Sequence, residues 1–364
     1  MKIGIDARFI SVPGGIPRYC RELLIELSEQ NPRDTYVALV KKIPHDFPER
    51  KNIEWVVADV PWYSWREQFS VGALINKRRD VELWHFPHWN IPFSVARPFI
   101  MTVHDFIFED FPTHDGTIVG KIKFFTKWVL WRMLLIFNLH RAKKIITVSG
   151  FVHAELIARF PWTAKKLEMI YNGVPSPQNQ PSRLEKNNRP YYLIVGNSYP
   201  HKNQKFVFET LIKYQELVGD IYVATHRDRF SEQRERELPM ILADRVHFVF
   251  DPSDAKLAEL YAGARALIIA SLSEGFGITP LEAMSYGIPV VAARTSCLPE
   301  ILGDTPLWFN PHEPKTLRDA LAQLESTSNF YTSEAKSARI LYAARFNWKT
   351  TAISTQKIYK NVLY

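Results

Sequence analysis

The sequence predicts an α/β protein built from two Rossmann-like domains that face each other across a cleft. Its 364 residues are long for one domain and sufficient for two, each with its own core. Short apolar segments alternate with helical stretches in both halves, which is typical of βαβ units around a parallel sheet. A polar stretch with three prolines, residues 175–181, has the composition of an interdomain linker. In such a fold a ligand binds at the carboxyl ends of the strands.

The first half opens with a strand at residues 2–6 and an amphipathic helix at residues 17–29. Apolar segments predict the other strands, at residues 36–40, 53–57, 83–86, 100–103 and 145–148, and in the second half at 191–195, 221–224, 246–250, 266–270 and 290–293. We therefore expect domains at residues 1–174 and 191–346, with a linker at 175–190.

The composition is that of an ordinary globular protein, with 46% hydrophobic and 23% charged residues. Two cysteines are too few for a disulfide framework or a metal cluster, which favours a reducing compartment. The first residues do not resemble a signal peptide, and no apolar run is long enough to span a bilayer. We expect a cytoplasmic protein.

The net charge is +8, and most of the excess lies in the first half. Such a bias fits attraction to nucleic acid, anionic lipid or a phosphorylated substrate. No segment carries the motif of a nucleic-acid-binding module, so nucleic acid is not an expected partner.

Residues 271–290 contain the most informative pattern of the chain. A buried strand is followed by the glycine-rich turn Gly275-Phe276-Gly277 and then by a helix. Free backbone N–H groups and the helix dipole make such a turn an anion site, and Glu274 and Glu282 could hold sugar hydroxyls beside it. Alternatively, Thr279 to Glu282 is a capping box that needs no ligand. The capping box does not explain Glu274, which precedes the glycines.

The spacing of Glu274 and Glu282 resembles the E-x7-E signature of the retaining glycosyltransferases of family 4. The resemblance covers nearly the whole chain and includes, in the family's order, MKIGIDARFI, GGIPRY, HFPHWNIP, TVHDF, IITVSGF, YNGV, VGNSYPHKN and FNWKTTAISTQKIYK. It implies a GT-B fold, a nucleoside-diphosphate sugar donor, no metal or other cofactor in catalysis, and retention of anomeric configuration. It also implies that residues 347–364 pack back on the first domain.

The same resemblance implies roles for residues of the second half. Lys202 would clamp the donor diphosphate, where negative charge develops on the leaving group. Many relatives have an arginine directly before this lysine or just after Gly196, whereas this chain has His201 and Asn197 there. Further donor contacts would come from Gly196, Asn197, His201, Glu274, the N–H groups of Gly275, Phe276 and Gly277, Thr279 and Glu282. The resemblance implies that Lys202, Glu274 and His104 act in catalysis.

In the first half, Gly14 and Gly15 follow the first strand, where they allow either a turn with positive φ or close approach of a substrate. The resemblance favours contact with the donor. His104 follows a strand and by resemblance touches the donor sugar, with Asp105 supporting it. His85 and His88, near Asn90, lack an obvious third metal ligand, so a metal site is not expected. We predict that these three residues belong to a loop facing the acceptor.

The resemblance implies transfer of a hexose to a saccharide or lipid-linked saccharide in bacterial surface polysaccharide synthesis. Mannose from GDP-mannose is the first candidate, and UDP- or dTDP-linked donors stay open. Two other classes share the architecture: sugar-nucleotide epimerases or hydrolases, and non-catalytic binding modules.

Residues 121–144 hold seven Lys or Arg, no acid and several aromatic residues. A helix of this composition can lie in the headgroup layer of an anionic membrane. The same residues can also form an ordinary helix that covers a sheet. The sequence therefore leaves membrane docking, and with it a peripheral position on the cytoplasmic face of the inner membrane, as a hypothesis.

Overall fold

The computed structural model describes residues 1–113, 117–174, 190–217 and 219–364. The predicted linker at 175–190 therefore lies, except for its last residue, outside the described residues. The chain divides into two compact units, of which unit 1 comprises Met1–Gly173 and Asn347–Tyr364 and unit 2 comprises Val174–Phe346. The first domain expected from sequence ends at residue 174, one residue after the first segment of unit 1. The expected final segment begins at residue 347, as the second segment of unit 1 does.

Unit 1 is built on one parallel sheet in the order β3-β2-β1-β4-β5-β6-β7. Its strands are β1 (Lys2–Asp6), β2 (Thr35–Val40), β3 (Ile53–Val57), β4 (Leu83–Phe86), β5 (Phe99–Val103), β6 (Ile145–Thr147) and β7 (Leu167–Met169). The helices between them are α1 (Gly15–Gln30), a π-helical turn (Glu67–Val71) continuing into α2 (Gly72–Lys77), α3 (Ile107–Asp110), α4 (Ile118–Arg141) and α5 (Gly150–Arg159).

Unit 2 repeats this plan with a parallel sheet in the order β10-β9-β8-β11-β12-β13. Its strands are β8 (Tyr191–Val195), β9 (Asp220–Thr225), β10 (Val246–Phe250), β11 (Ala266–Ile269), β12 (Val290–Ala293) and β13 (Leu307–Phe309). The helices are α6 (Gln204–Lys213), α7 (Arg229–Arg236), α8 (Asp254–Gly263), α9 (Ile278–Ser285), α10 (Leu298–Leu302), α11 (Pro314–Ser326) and α12 (Ser333–Ala343).

Both sheets have the Rossmann strand order, in which the direction of winding reverses beside the first strand. The reversal lies between β1 and β4 in unit 1 and between β8 and β11 in unit 2, and both pairs are parallel. Loops that follow these four strands therefore meet at the carboxyl end of their own sheet. In unit 2 they carry Lys202 and Glu274, and in unit 1 they carry Arg8 and His88.

The last helix, α13 (Trp348–Leu363), belongs to the core of unit 1 and packs on α1. Trp348 and Tyr359 are buried among residues of β1, β2 and α1. The chain comes very close to itself here, because a Cβ on Gly173 would lie 2.2 Å from the backbone nitrogen of Trp348. Glycine is therefore required at the point where the chain leaves unit 1.

Candidate functional site

At the strand reversal of unit 2, Lys202 and Glu274 form an ion pair. The Lys202 Nζ donates to the Glu274 Oε1 at 2.6 Å, and both side chains keep a small exposed fraction, 19% and 14%. Lys202 ends a 3-10 turn after β8, and Gly196, at φ +127°, lies beside its ammonium group. The sequence prediction named both residues, and the structure brings them together.

Two serines that the sequence analysis did not select hold Glu274 in place. Ser271 Oγ donates to the same carboxylate oxygen at 2.6 Å, and the Glu274 N–H donates to Ser296 Oγ at 2.9 Å. Ser296 has a positive φ of 46°, unusual for a residue other than glycine. The Leu272 N–H donates to the carbonyl of His201, which joins the two loops directly.

The pKa shifts in this cluster keep Glu274 ionised and His201 neutral. Burial acts to raise the pKa of Glu274, but the charge of Lys202 and hydrogen bonds from Lys202 and Ser271 prevail, so its pKa lies below the usual value. Burial, assisted by Lys202, lowers the pKa of His201 to about 4. His201 is therefore neutral at pH 7 and does not supply the charge of the arginine that many relatives have at this position.

The capping box predicted at Thr279 to Glu282 is wrong. Helix α9 begins at Ile278, and its N-cap is Gly277, which has a φ of 81° and no side-chain cap. A Cβ on Gly277 would lie 2.8 Å from the Leu298 side chain, so both conformation and packing require glycine. Thr279 is the second residue of the helix, and its side chain does not cap the helix.

Glu282 is the fifth of the eight residues of the same helix and is mostly buried. Its Oε2 accepts a hydrogen bond from the Tyr261 hydroxyl at 3.1 Å, and the Tyr261 ring stacks on Tyr286. Phe276 is buried and packs edge-on against Phe346. A ligand at this loop would therefore meet the backbone of Phe276 rather than its ring.

At the strand reversal of unit 1, a fully buried ionic cluster occupies the corresponding position. Arg8 donates from Nε and NH2 to both oxygens of Asp6, at 2.8 and 2.7 Å, and from NH1 to Glu67 at 2.7 Å. Glu67 also accepts from the Asn90 side chain at 2.8 Å and from the Tyr63 N–H at 2.6 Å. The cluster ties the loops after β1, β3 and β4 together.

These contacts correct the expected acceptor-side loop. His85 lies on β4, is completely buried, and uses both ring nitrogens in bonds to Tyr359 and Thr102 at 2.7 and 2.8 Å. It is a core residue and not a loop residue. Asn90 is buried and directed at Glu67, so only His88, which is partly exposed, could face a ligand. Burial, with the charges of His104 and Arg8, lowers the pKa of His88 to about 3.

His104 follows β5 as predicted. Its Nε2 lies 3.0 Å from the Pro87 carbonyl, which can only accept, so this nitrogen carries the proton. Burial lowers the pKa of His104 to about 4 despite that bond. The ring is therefore neutral at pH 7, with an acceptor lone pair on Nδ1. Asp105 accepts from the Ile107 N–H at 3.0 Å and so supports the loop.

The two glycines after β1 differ in their constraints. Gly14 is the N-cap of α1 with a φ of 136°, a conformation that favours glycine. A Cβ on Gly15 would meet nothing within 4 Å. The turn explains Gly14, whereas space for a ligand would be the reason to have glycine at position 15.

Both halves of the sequence match models of one enzyme class. Residues 13–176 match the model described as Glycosyltransferase Family 4, and residues 176–341 match Glycosyl transferases group 1. The O-antigen chain mannosyltransferase RfbU of Salmonella typhimurium is 30% identical over 268 residues, covering 72% of this chain and 70% of that protein. The chain belongs to glycosyltransferase family 4. A second family 4 relative, the O-antigen chain mannosyltransferase B of Escherichia coli, is 28% identical over 299 residues, or 76% of this chain and 74% of that protein.

Solved structures agree on the fold. A sucrose-phosphate synthase from Thermosynechococcus elongatus has a TM-score of 0.76 at 17% identity, covering 100% of this chain and 99% of that one. HepE of Anabaena in complex with UDP and glucose has a TM-score of 0.71 at 17% identity, covering 99% of both chains. The GT-B fold predicted from sequence is confirmed.

The described residues hold neither a metal cluster nor a membrane-spanning helix. No group of three or more His, Cys, Asp or Glu side chains in the described part of the chain is placed to hold a metal ion. Among the helices within the described ranges, none is long and apolar enough to cross a bilayer.

Proposed function

We propose that this family 4 glycosyltransferase moves a hexose from a nucleoside-diphosphate sugar to a saccharide or lipid-linked saccharide, with retention, in surface polysaccharide synthesis. The observation that carries the proposal is the Lys202–Glu274 pair at the strand reversal of unit 2. It combines one cation and one carboxylate in a place where Rossmann folds bind ligands, and both are accessible. Mannose from GDP-mannose is the first candidate, because the relatives at 30% and 28% identity are mannosyltransferases.

The chemistry assigns each group a task. In the transfer, the bond from the sugar C1 to the diphosphate oxygen breaks and a bond from C1 to the acceptor oxygen forms on the same face. The acceptor proton passes to the leaving phosphate, so no separate base is required. Lys202 would stabilise the charge that develops on the diphosphate, and Glu274 would accept hydrogen bonds from sugar hydroxyls. In unit 1, neutral His104 has an acceptor nitrogen, Nδ1, that can bind a hydroxyl group.

The remaining donor contacts follow the local backbone. The N–H groups from Gly275 to Thr279 lie at the start of α9, where a helix favours anionic groups. Glu282 would accept from the ribose hydroxyls while keeping the bond from Tyr261. Lys202 supplies positive charge without a metal, so we propose that catalysis is metal-independent and that chelators leave the rate unchanged.

The deciding experiment offers the protein labelled GDP-mannose, UDP-glucose and a dTDP-sugar, each with and without a lipid-linked saccharide acceptor. Acceptor-dependent transfer with the α-configuration kept in the product, measured by NMR, supports the proposal. Loss of donor without acceptor would indicate a hydrolase or epimerase, and tight donor binding without turnover would indicate a binding module. Transfer from UDP-glucose alone would overturn the choice of GDP-mannose and keep the rest.

A lipid-linked acceptor would bring the enzyme to the cytoplasmic face of a membrane, and we propose a peripheral location there.

A further inference from the structure

Helix α4 is apolar on two opposite faces. Its inward face buries Trp131, Leu135 and Leu139 in unit 1. Its outward face carries large apolar side chains with exposed fractions between 44% and 63%, namely Val119, Ile122, Leu130, Met133 and Phe137. Their spacing of three, eight, three and four residues places them on one stripe, about 27 Å long. A helix that only covers a sheet needs one apolar face, so the outward stripe is unexplained by folding.

A second element continues this stripe. Trp65 and Phe69, one helical turn apart, are 72% and 58% exposed. The Phe69 ring lies 5.3 Å from that of Phe93, and the Phe93 carbonyl accepts from Arg141 at the end of α4. Arg141 in turn lies over the Phe137 ring at 4.9 Å. These contacts make one continuous surface, the outer apolar face of unit 1, from Trp65 and Phe69 through Phe93 to the stripe of α4.

The charges beside this face have one sign. The sequence suggested seven available cations, but the structure pairs Arg132 with Glu109 and Lys144 with Glu168. Lys121, Lys123 and Lys127 are exposed, and none has an acidic partner among the residues the structure describes. By helical spacing, Lys123 and Lys127 lie beside the apolar stripe in the first half of α4, whereas Lys121 lies on the other side of the helix.

We propose that the outer apolar face of unit 1 docks into the headgroup layer of an anionic membrane. The apolar side chains would enter the boundary of the acyl chains, and the lysines would meet lipid phosphates. The charge argues for this occupant over a second copy of the chain, because a symmetric dimer through the face would bring like-charged lysines together. The proposal does not depend on which donor the enzyme uses.

The first test is flotation of the purified protein with phosphatidylcholine vesicles, with and without phosphatidylglycerol. We expect binding only to the anionic vesicles, and weaker binding at higher salt. Each lysine near such a surface contributes about fivefold to the partition, so K123Q/K127Q should bind on the order of twenty-five-fold more weakly. The matched control is K357Q/K360Q, which removes two exposed lysines of α13 in the same unit.

The second test separates insertion from simple charge attraction. The variant I122S/L130S/M133S removes part of the stripe, and W65S/F69S removes the second element; each should reduce binding at least tenfold. The control M240S/I241S/L341S changes equally exposed apolar residues elsewhere. Equal binding to both vesicle types, or equal losses in test and control variants, overturns the proposal. A dimer in solution that only the stripe variant dissociates would identify a second copy as the occupant instead.

Discussion

The two units place a cation and carboxylates at the same position in the same topology, but in different surroundings. In unit 1, Arg8 has no exposed surface on its side chain and lies between Asp6 and Glu67. In unit 2, Lys202 meets one carboxylate, Glu274, and both remain partly exposed. Strand order and loop position are therefore the same, and solvent access is what differs.

That difference separates a structural ion cluster from a candidate binding site. Arg8 donates to three carboxylate oxygens and is completely buried, so its role is to hold the loops together. The ammonium of Lys202 has one carboxylate partner and solvent on another side, so a diphosphate can reach it. The exposed fraction, more than the residue type, indicates which of the two clusters can accept a ligand.

The largest expected effect is on stability, from R8M. Removing the guanidinium leaves two buried carboxylates without a counter-charge, and breaking a buried pair in this way costs about 3–5 kcal/mol. The parallel variant K202M should cost about 1 kcal/mol or less, because its pair is partly exposed. Urea unfolding of both variants measures the difference. If R8M does not fold, R8K takes its place, with a free energy of unfolding expected between those of R8M and the parent. Similar losses of stability in R8K and K202M would refute the distinction between the two clusters.

Next in size is the effect of E274A on turnover. The carboxylate is expected to bind donor hydroxyls, so its removal should lower kcat at least a hundredfold, which corresponds to about 2.7 kcal/mol in the barrier. The melting temperature should stay close to that of the parent. Steady-state kinetics with a panel donor is the measurement, and S271A, which removes one bond to the same oxygen, should have a smaller effect. Unchanged kinetics in a folded E274A protein would remove Glu274 from the site.

A smaller effect is expected from K202A on ligand binding. Without the ammonium group, the intact donor and the nucleoside diphosphate should bind about tenfold or more weakly, since a charge-assisted bond is worth about 1.5–3 kcal/mol. The free nucleoside should bind almost as before. Calorimetric titration with the three ligands tests this. K205A, at an exposed lysine three residues away, is the control, and equal losses for all three ligands in K202A would indicate a structural role.

The smallest effect concerns the pH dependence of stability in unit 1. Burial, with the charge of His104, lowers the pKa of His85 to about 3, from an ordinary value near 6.5. Between these values the unfolded chain binds a proton at this position and the folded protein does not, so stability falls as the pH decreases. In H85Q the free energy of unfolding should decrease less steeply between pH 6 and pH 5 than in the parent, by about 1 kcal/mol per pH unit. Urea unfolding across this range measures it, with H45Q, at an exposed histidine, as the control; an unchanged slope contradicts it.

Periodicity was sufficient to predict most of the fold. The bounds of β4, β8 and β12 match the sequence prediction, and those of β2, β5 and β11 differ from it by one residue at one end. The strands β7 and β13 were missed because each has three residues and lies at the edge of its sheet. β7 is interrupted by Glu168, and the apolar run of β13 is only three residues long, so neither gives a clear strand pattern.

The site was less predictable, because its details depend on contacts between distant residues. The sequence predicted Lys202 and Glu274, but no local pattern pointed to two residues that contact the clusters from other loops. Ser296 binds the Glu274 N–H, and Glu67 binds Arg8. The capping box failed because the N-cap of α9 is Gly277, in the left-handed region, which lies two residues before Thr279. The strand predicted at residues 83–86 contains His85, which conflicts with the acceptor-loop prediction; the pairing of His85 with Ile5 of β1 places it in the core.

The position of α13 has a consequence for how the protein is made. Unit 2 is an insertion within unit 1, since the chain leaves unit 1 after Gly173 and returns at Asn347. A ribosome therefore completes every residue of unit 2 before it delivers Trp348, Ala352, Ile358 and Tyr359 to the core of unit 1. Until then, the unit that was synthesised first keeps an open apolar surface and His85 without its tyrosine partner. A nascent chain paused near residue 346 would present a finished second domain and an unfinished first one to chaperones.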